Sequence, residues 1–224
     1  VRYIRSQFED AIKVLEKLTG RPFDYDKLRR VMEISSETAK IWKKASQMAA
    51  AKPSPLNGFD LFNYMAVIVC MRGRQEGLDL FRLWYQELEE RRSKGLGPWK
   101  DQEERIRILW DGIACWPYLS NTYKTLKRYG INLVTSTYPD SWTILYEAGD
   151  LDGMARAYSS NYVNRNLAFG ADNIAQLVKE FSLDGIIFHS NRSCKLMDFR
   201  QLEIQRQVAG RTGVASVMCD GDQT

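Results

Sequence analysis

Residues 106–134 read IRILWDGIACWPYLSNTYKTLKRYGINLV, and this stretch decides the fold class. It begins with a short apolar strand pattern at 106–110. Apolar residues then recur at helical spacing through Leu119, Tyr123 and Leu126, and a second apolar run follows at 131–134. A strand, a helix and a strand in this order predict a βαβ unit with two parallel strands.

The same alternation continues to the end of the chain. Helical patterns at 174–181 and 199–208 alternate with apolar runs at 185–188 and 214–218. We therefore predict an α/β domain over residues 96–224, Rossmann- or flavodoxin-like, with three layers and a parallel sheet of about four strands. This domain is expected to be truncated at its C-terminus.

Residues 1–95 show no strand-like alternation and are predicted to form a helical segment that packs on the α/β domain. Gly20 and Pro22 end a first helix, and Asp24 is placed to cap the second. Residues 61–71 are apolar nearly all round, which predicts a buried helix with Cys70 in the core. Between the domains' clear elements, 142–148 and 151–158 fit a helix or a loop equally well.

Composition excludes several classes of protein. The chain has 224 residues, 44% hydrophobic and 27% charged, which are globular proportions. The net charge of +4 is dispersed without a basic run, so no nucleic-acid partner is expected. The longest apolar run, 65–71, is too short to span a membrane, and no signal peptide is visible, so we expect a cytoplasmic protein. Because the chain starts on Val1, we expect a fragment of a longer polypeptide.

The chain has only four cysteines and one histidine, so a metal site or a nucleophile built on these residue types must use some of these five. Ligands of open parallel sheets bind beyond the carboxyl ends of the strands. The predicted strand ends open four loops, which begin at Asp111, Thr135, His189 and Cys219. Three of the four cysteines and the single histidine fall in these loops, which makes this edge of the sheet the candidate site.

Cys194 is the strongest candidate for chemistry. Arg192 and Lys195 flank it, and a helix is predicted just beyond it, so its environment favours a thiolate. His189 fits two roles equally well: a general acid or base, or a hydrogen-bond donor that anchors the loop. A Cys194–His189 dyad is conceivable, although no third orienting group is evident. No GxGxxG or Walker A pattern occurs, and one cysteine alone does not hold an iron–sulfur cluster.

Four segments resemble a known family in the right order. They are KPSPLNG at 52–58, WDGIACWPY at 110–118, FHSNRSCK at 188–195 and DGDQT at 220–224. Together they resemble the C-terminal half or so of a subunit of the 2-hydroxyacyl-CoA dehydratase and benzoyl-CoA reductase family. The 188–195 run is specific for the family and does not distinguish its members.

The resemblance implies an oxygen-sensitive enzyme of two related subunits, each with a 4Fe–4S cluster held by three cysteines. An ATP-hydrolysing iron–sulfur activator supplies the electron. The electron passes at low potential to an acyl-CoA or benzoyl-CoA thioester, which becomes a ketyl-type radical. Whether the chain serves a dehydratase or an aromatic-ring reductase stays open.

The resemblance also implies roles for particular residues. Cys194 matches the family's third cluster ligand, and the first two are expected upstream of Val1. The candidate catalytic residues are His189, Ser190 and Asn191, which would donate hydrogen bonds to cluster sulfur or to substrate. The possible pocket residues are Asp111, Cys115 and Trp116.

Two other functions compete with a catalytic subunit. One is a non-catalytic subunit of the same family that binds CoA or transfers electrons. The other, which ignores the resemblance, is a cysteine-nucleophile enzyme acting on thioesters through Cys194 and His189. On the leading hypothesis, the chain is active only within a full-length complex and is inactive alone.

Overall fold

A computed structural model describes residues 1–222. Gln223 and Thr224, the last two residues of the 220–224 resemblance, lie outside the described residues. Helices and strands follow one another in the order α1 Arg2–Thr19, α2 Tyr25–Gln47, α3 Gly58–Cys70, α4 Gln75–Ser93, β1 Ile106–Asp111, α5 Leu119–Arg128, β2 Ile131–Ser136, α6 Thr137–Asp140, α7 Leu151–Ser159, α8 Leu167–Glu180, β3 Gly185–Asn191, α9 Lys195–Thr212 and β4 Ala215–Gly221. Short 3₁₀ turns occupy Met48–Ala50, Trp116–Tyr118 and Tyr162–Asn164.

The four strands form one parallel sheet in the order β2-β1-β3-β4. This confirms the predicted α/β class and strand number, and the order is that of the first four strands of a flavodoxin-like sheet. The chain moves outward from β1 to β2, then crosses to β3 on the other side. The crevice between the carboxyl ends of β1 and β3 is therefore the topological switch point, where such sheets bind ligands.

Helices cover both faces of the sheet and complete three layers. Along β1, Leu109 faces one layer and its neighbours Ile108 and Trp110 face the other, as the two-residue repeat of a strand requires. Leu109 shares its core with α2, α4 and α8, whereas Trp110 shares a smaller core with α3 and α5. Within residues 1–222, no helix is long and apolar enough to cross a membrane.

The helical segment is anchored directly on the sheet. Asp24 caps α2 by accepting a hydrogen bond from the Lys27 backbone N–H, as predicted. Gly58 starts α3 against β2, so closely that a Cβ there would lie 1.8 Å from Leu133 Cδ2. The expectation for Cys70 is wrong: only one stripe of α3 is buried, and Cys70, its last residue, is exposed.

The strands run further than their apolar residues indicated. β3 continues through His189, Ser190 and Asn191, which pair with residues 219–221 of β4, so these residues belong to a strand rather than to a loop. Cys219 lies in β4 for the same reason. Polar residues extend both strands because the parallel partner supplies the backbone hydrogen bonds. Of the two ambiguous segments, only the second is helical, as α7.

The amino end of the sheet holds a buried ion-pair network. Arg107, the second residue of β1, is 4% exposed and forms an ion pair with Glu104. Its guanidinium also donates to the carbonyls of Phe181, at 2.9 Å, and Ala51, at 3.1 Å. Glu104 in turn accepts from the Asn132 side chain. These contacts join the helical segment, β1 and β2 beneath the sheet.

Candidate functional site at the carboxyl end of the sheet

Cys194 lies at the switch point as the N-cap residue of α9, half-buried. Its backbone N–H donates to the Asn191 carbonyl at 2.8 Å, and its own carbonyl accepts from the Asp198 N–H at 3.0 Å. A helix therefore begins directly after this thiol, as the sequence predicted. The N–H groups of the first turn of α9 point toward the crevice, where they favour negative charge.

Two of the candidate catalytic residues are committed to local hydrogen bonds. Ser190 donates to the carboxylate of Asp198 on α9. The Asn191 side chain accepts from the Ser193 N–H at 3.0 Å. Both side chains thus tie down the turn that carries Cys194.

His189 differs from its neighbours because only one of its two ring nitrogens forms a hydrogen bond within the described residues. Its Nδ1 contacts the Ile113 carbonyl at 2.6 Å, which assigns the proton to Nδ1 and leaves Nε2 as an acceptor in the neutral ring. The side chain is 3% exposed, and Nε2 is buried with no hydrogen-bond partner in the described part of the chain. Nε2 faces Gly221, where a Cβ would lie 2.9 Å away. A glycine at this position leaves a gap over an unpartnered imidazole nitrogen.

Asp111 ends β1 and is 1% exposed, so it is a buried carboxylate rather than a pocket wall. One oxygen accepts from the Thr137 hydroxyl at 2.6 Å and the Tyr162 hydroxyl at 3.1 Å. The other accepts from the Gln201 side-chain amide at 2.8 Å. Three neutral donors from three separate elements therefore converge on one carboxylate, which we call the Asp111 cluster.

Gly112 lets the backbone turn away from the Asp111 cluster. Its φ of +106° is one that side chains disfavour. A Cβ at this position would lie 2.5 Å from the His189 carbonyl and 3.0 Å from Gln201 Nε2. Only glycine allows β1, β3 and α9 to meet this closely.

Two tyrosines at this end of the sheet are held in their neutral form. Burial, followed by the charge of Asp111, raises the pKa of Tyr162 far above its usual range, while Arg200 opposes the shift. Arg200 lies over the Tyr162 ring at 4.7 Å. Burial, followed by electrostatic repulsion from Cys194, raises the pKa of Tyr138. The Tyr162 hydroxyl already donates its proton to Asp111, whereas the Tyr138 phenol is a donor that faces the crevice at neutral pH.

The remaining candidate residues lie at the rim. Cys115 Sγ contacts the Asp222 carbonyl at 3.5 Å, which joins the segment after β1 to the end of β4. Trp116 is 40% exposed and lines a cleft of about 430 Å³ together with Phe59 and Tyr123. Cys219 is exposed.

A second cavity, of about 420 Å³, lies past the end of β2. Ser136, Tyr162 and Lys43 are among its lining residues, so it shares Tyr162 with the Asp111 cluster. Asp140 also lines it and is exposed to solvent. The cavity is large enough for a small polar ligand.

Sequence reasoning missed three members of the Asp111 cluster: Thr137, Tyr162 and Gln201. On α9, Leu202 is 49% exposed and Phe199 is 84% exposed. The buried stripe is Met197, Gln201, Ile204 and Val208. A glutamine at a core position of an otherwise apolar helical stripe was the available signal for a buried partner.

Within residues 1–222, no group of three or more His, Cys, Asp or Glu side chains is arranged to hold a metal ion. What the described residues do provide at this edge is a thiol at the N-terminus of α9 and, in the preceding strand β3, a buried imidazole nitrogen without a partner. Thiolates are the usual ligands of iron–sulfur clusters, and hydrogen-bonding groups around them tune the cluster. Cys194 therefore fits the role of one thiolate ligand of such a cluster.

Fold and site together define a parallel α/β chain with a thiol at the switch point of its sheet. Residues 1–224 match the family model described as 2-hydroxyglutaryl-CoA dehydratase, D-component. The chain therefore belongs to the 2-hydroxyglutaryl-CoA dehydratase D-component family, as the resemblance indicated.

Several curated relatives are subunits of dehydratases. The chain is 46% identical to the (R)-2-hydroxyisocaproyl-CoA dehydratase alpha subunit of Clostridioides difficile, over all of this chain and 55% of that subunit. It is 42% identical to the (R)-phenyllactyl-CoA dehydratase alpha subunit of Clostridium sporogenes, over all of this chain and 54% of that subunit. A benzoyl-CoA reductase subunit of Thauera aromatica is more distant, at 24% identity over 96% of this chain and 52% of the relative. The chain spans about half the length of these relatives.

Proposed function

We propose that the chain is part of the iron–sulfur subunit of a 2-hydroxyacyl-CoA dehydratase. The observation that carries the proposal is Cys194, a half-buried thiol at the N-terminus of α9 on the switch point of a family-typical sheet. A dehydratase is preferred over a benzoyl-CoA reductase because identity to dehydratase alpha subunits is 37–46%, against 24% to the reductase relative.

In this proposal, Cys194 is one of three thiolate ligands of a 4Fe–4S cluster, and the other two belong to polypeptide beyond residues 1–222. When bound, the cluster supplies a low-potential electron to a CoA thioester. Cys194 is the N-cap residue of α9, and a helix N-terminus is a suitable place for a negatively charged ligand group. Ser190 and Asn191 hold the turn that carries the thiol.

The other residues of the crevice have roles that follow from their hydrogen bonds. The neutral phenol of Tyr138 is a donor beside Cys194, suited to an oxygen on which negative charge develops. His189 keeps its ring fixed through Ile113 and offers Nε2 as an acceptor in a dry environment. Low exposure at His189 and Asp111 excludes water from this edge, which protects a reactive intermediate.

The subunits named in the comparisons imply assembly with another subunit. We propose a related second subunit and an ATP-hydrolysing iron–sulfur activator as partners, and an acyl-CoA as substrate. We further expect the 224-residue chain to be inactive alone, because one thiolate does not retain a cluster.

The decisive experiment compares Cys194→Ser with Cys70→Ser in the natural polypeptide that contains this chain. Cys70 is exposed at the end of α3 and provides the matched control. After anaerobic purification, Cys194→Ser should lose most iron and acid-labile sulfide, and Cys70→Ser should keep both. Equal iron content in the two variants would contradict the proposal.

A second assay addresses the substrate. The anaerobic complex with its activator and ATP is given 2-hydroxyacyl-CoA thioesters and benzoyl-CoA in separate reactions. Dehydration of a 2-hydroxyacyl-CoA supports the proposal, whereas reduction of benzoyl-CoA assigns the chain to the reductases. Thioester turnover without reductant, abolished by Cys194→Ser, would instead support a cysteine nucleophile.

A further inference from the structure

We infer that Asp111 is a positioning residue for Cys194: through Gln201, its buried carboxylate holds the first two turns of α9, which carry the thiol. The inference rests on the proposed function only in treating Cys194 as the functional group. The contacts themselves are a property of the fold.

The link from Asp111 to the thiol is short. Gln201 donates to the Asp111 carboxylate at 2.8 Å and to the Asp111 carbonyl at 3.3 Å. Gln201 is seven residues beyond Cys194, which is about two turns or ~10 Å along a helix. Because a helix is stiff over two turns, the place where Gln201 is held sets the place of Cys194.

Few other contacts hold this end of α9. Its buried stripe contributes only Met197 and Gln201 to the first two turns. On the opposite side, Leu196 is 61% exposed and Phe199 is 84% exposed. The other polar ties are the hydrogen bonds from Ser190 to Asp198 and from Arg200 to the carbonyls of Arg165 and Tyr162. The Gln201 contact is the one that ties this end of α9 to the end of β1, and its loss removes that link.

The Asp111 carboxylate is itself fixed from two further directions. Thr137 and Tyr162 donate to the oxygen that Gln201 does not contact. Tyr162 also touches α9 independently, because its carbonyl accepts from Arg200 at 3.2 Å. The Asp111 carboxylate, the turn that carries Tyr162 and helix α9 are thus each held by hydrogen bonds to the other two.

A role in stability alone does not explain this arrangement. In residues 1–222, Asp111 forms no ion pair, so its desolvation is offset only by neutral donors. Well-packed apolar residues often replace such buried polar groups at no loss of stability. Gln201 Oε1 is moreover buried without a partner in the described residues, which adds to the cost of this contact.

The test uses three variants of the natural polypeptide: Asp111→Ala, Gln201→Glu, and the double variant Asp111→Asn with Gln201→Glu. The double variant exchanges carboxylate and amide, so that the side chain at 111 donates to the one at 201 and still accepts from Thr137 and Tyr162. It restores the shorter contact between the two side chains and loses the longer one, of 3.3 Å, from residue 201 to the carbonyl of residue 111. Glu104→Gln, at the opposite end of the sheet, is the control for general destabilisation. Each protein is reconstituted anaerobically with iron and sulfide.

The expected result separates position from stability. Asp111→Ala and Gln201→Glu should weaken iron retention about tenfold or more and shift the g values of the reduced cluster. The double variant should recover both, while Glu104→Gln should lower the thermal midpoint and leave the g values unchanged. A native spectrum in Asp111→Ala, or the same spectral change in Glu104→Gln, would overturn the inference.

A cluster-free readout keeps this result distinct from failure of the proposed function. In the metal-free protein at one pH, the rate of Cys194 alkylation is measured relative to exposed Cys70. Asp111→Ala should raise this ratio several-fold, and the double variant should restore it. If Cys194→Ser keeps its iron while the ratio behaves as expected, the proposed function fails and the positioning role stands. An unchanged ratio removes the positioning role.

Discussion

Strand β1 carries a buried charge near each end, and the two are held in opposite ways. At the amino end, the Arg107 guanidinium is paired with Glu104 and saturated by backbone carbonyls. At the carboxyl end, Asp111 has only neutral donors among the described residues, and two atoms in its surroundings, Gln201 Oε1 and His189 Nε2, are buried without partners there.

The difference lies in how each charge is compensated. At the amino end, two opposite charges neutralise each other, and their contacts join the helical segment to the sheet, although Asn132 Oδ1 in the same network is also buried without a partner in the described residues. At the carboxyl end, neutral donors alone offset the desolvation of Asp111. The carboxyl end therefore gives up stability that the amino end provides.

The largest expected effect is at the amino end. Glu104→Ala leaves the Arg107 guanidinium buried without its counter-charge, which should cost about 3–5 kcal/mol of unfolding free energy. Urea unfolding followed by circular dichroism measures it. Glu90→Ala, which breaks an exposed pair with Lys94, is the control and should fall within experimental error. Similar losses in both variants would remove the contrast between a buried network and a surface pair.

At the carboxyl end, we expect steric fit at Gly112 to determine stability more strongly than charge does. Gly112→Ala combines a φ of +106° with a Cβ 2.5 Å from the His189 carbonyl, so we expect a loss of about 2–4 kcal/mol. Gly213→Ala is the matched control, since its φ of +67° is also positive but nothing lies within 4 Å of the new Cβ. Its expected cost is about 1 kcal/mol, from the backbone alone. Equal thermal midpoints for the two variants would show that the crevice tolerates side chains.

The smallest expected effect is that of Tyr162→Phe, which tests the Asp111 cluster through the pH dependence of the unfolding free energy. Tyr162→Phe removes one hydrogen bond to Asp111 and should cost about 1 kcal/mol at neutral pH. Burial and the Asp111 charge raise the pKa of Tyr162 in the folded protein, whereas the unfolded residue ionises at pH ~10. The wild type should therefore lose stability as pH rises above about 10, and the phenylalanine variant should lose less.

Chemical unfolding across this pH range checks the sign of the Tyr162 effect. Tyr129→Phe is the control, because Tyr129 is 62% exposed and lies on the surface, away from Asp111. Its pH profile should match that of the wild type. A Tyr162→Phe profile with an unchanged slope would mean that the phenol is not held by Asp111.

Periodicity and turn residues were sufficient to predict the sheet, its four strands and the helix that begins after Cys194. They failed at the strand ends, where His189, Ser190 and Asn191 are polar yet extend β3. Local pattern carries no information about the β4 backbone that pairs with them. For the same reason, no pattern near Asp111 pointed to Tyr162 or Gln201, which reach it only through the completed tertiary fold.

The donors to Asp111 also impose an order of events on folding. They lie 26, 51 and 90 residues further along the chain. During synthesis, Gln201 leaves the ribosome roughly 5–20 s after Asp111 at ordinary elongation rates. Until then the carboxylate has to stay hydrated and β1 cannot bury its end. The crevice is consequently completed late in biogenesis, after α9 arrives, and a chain still under synthesis presents only part of it.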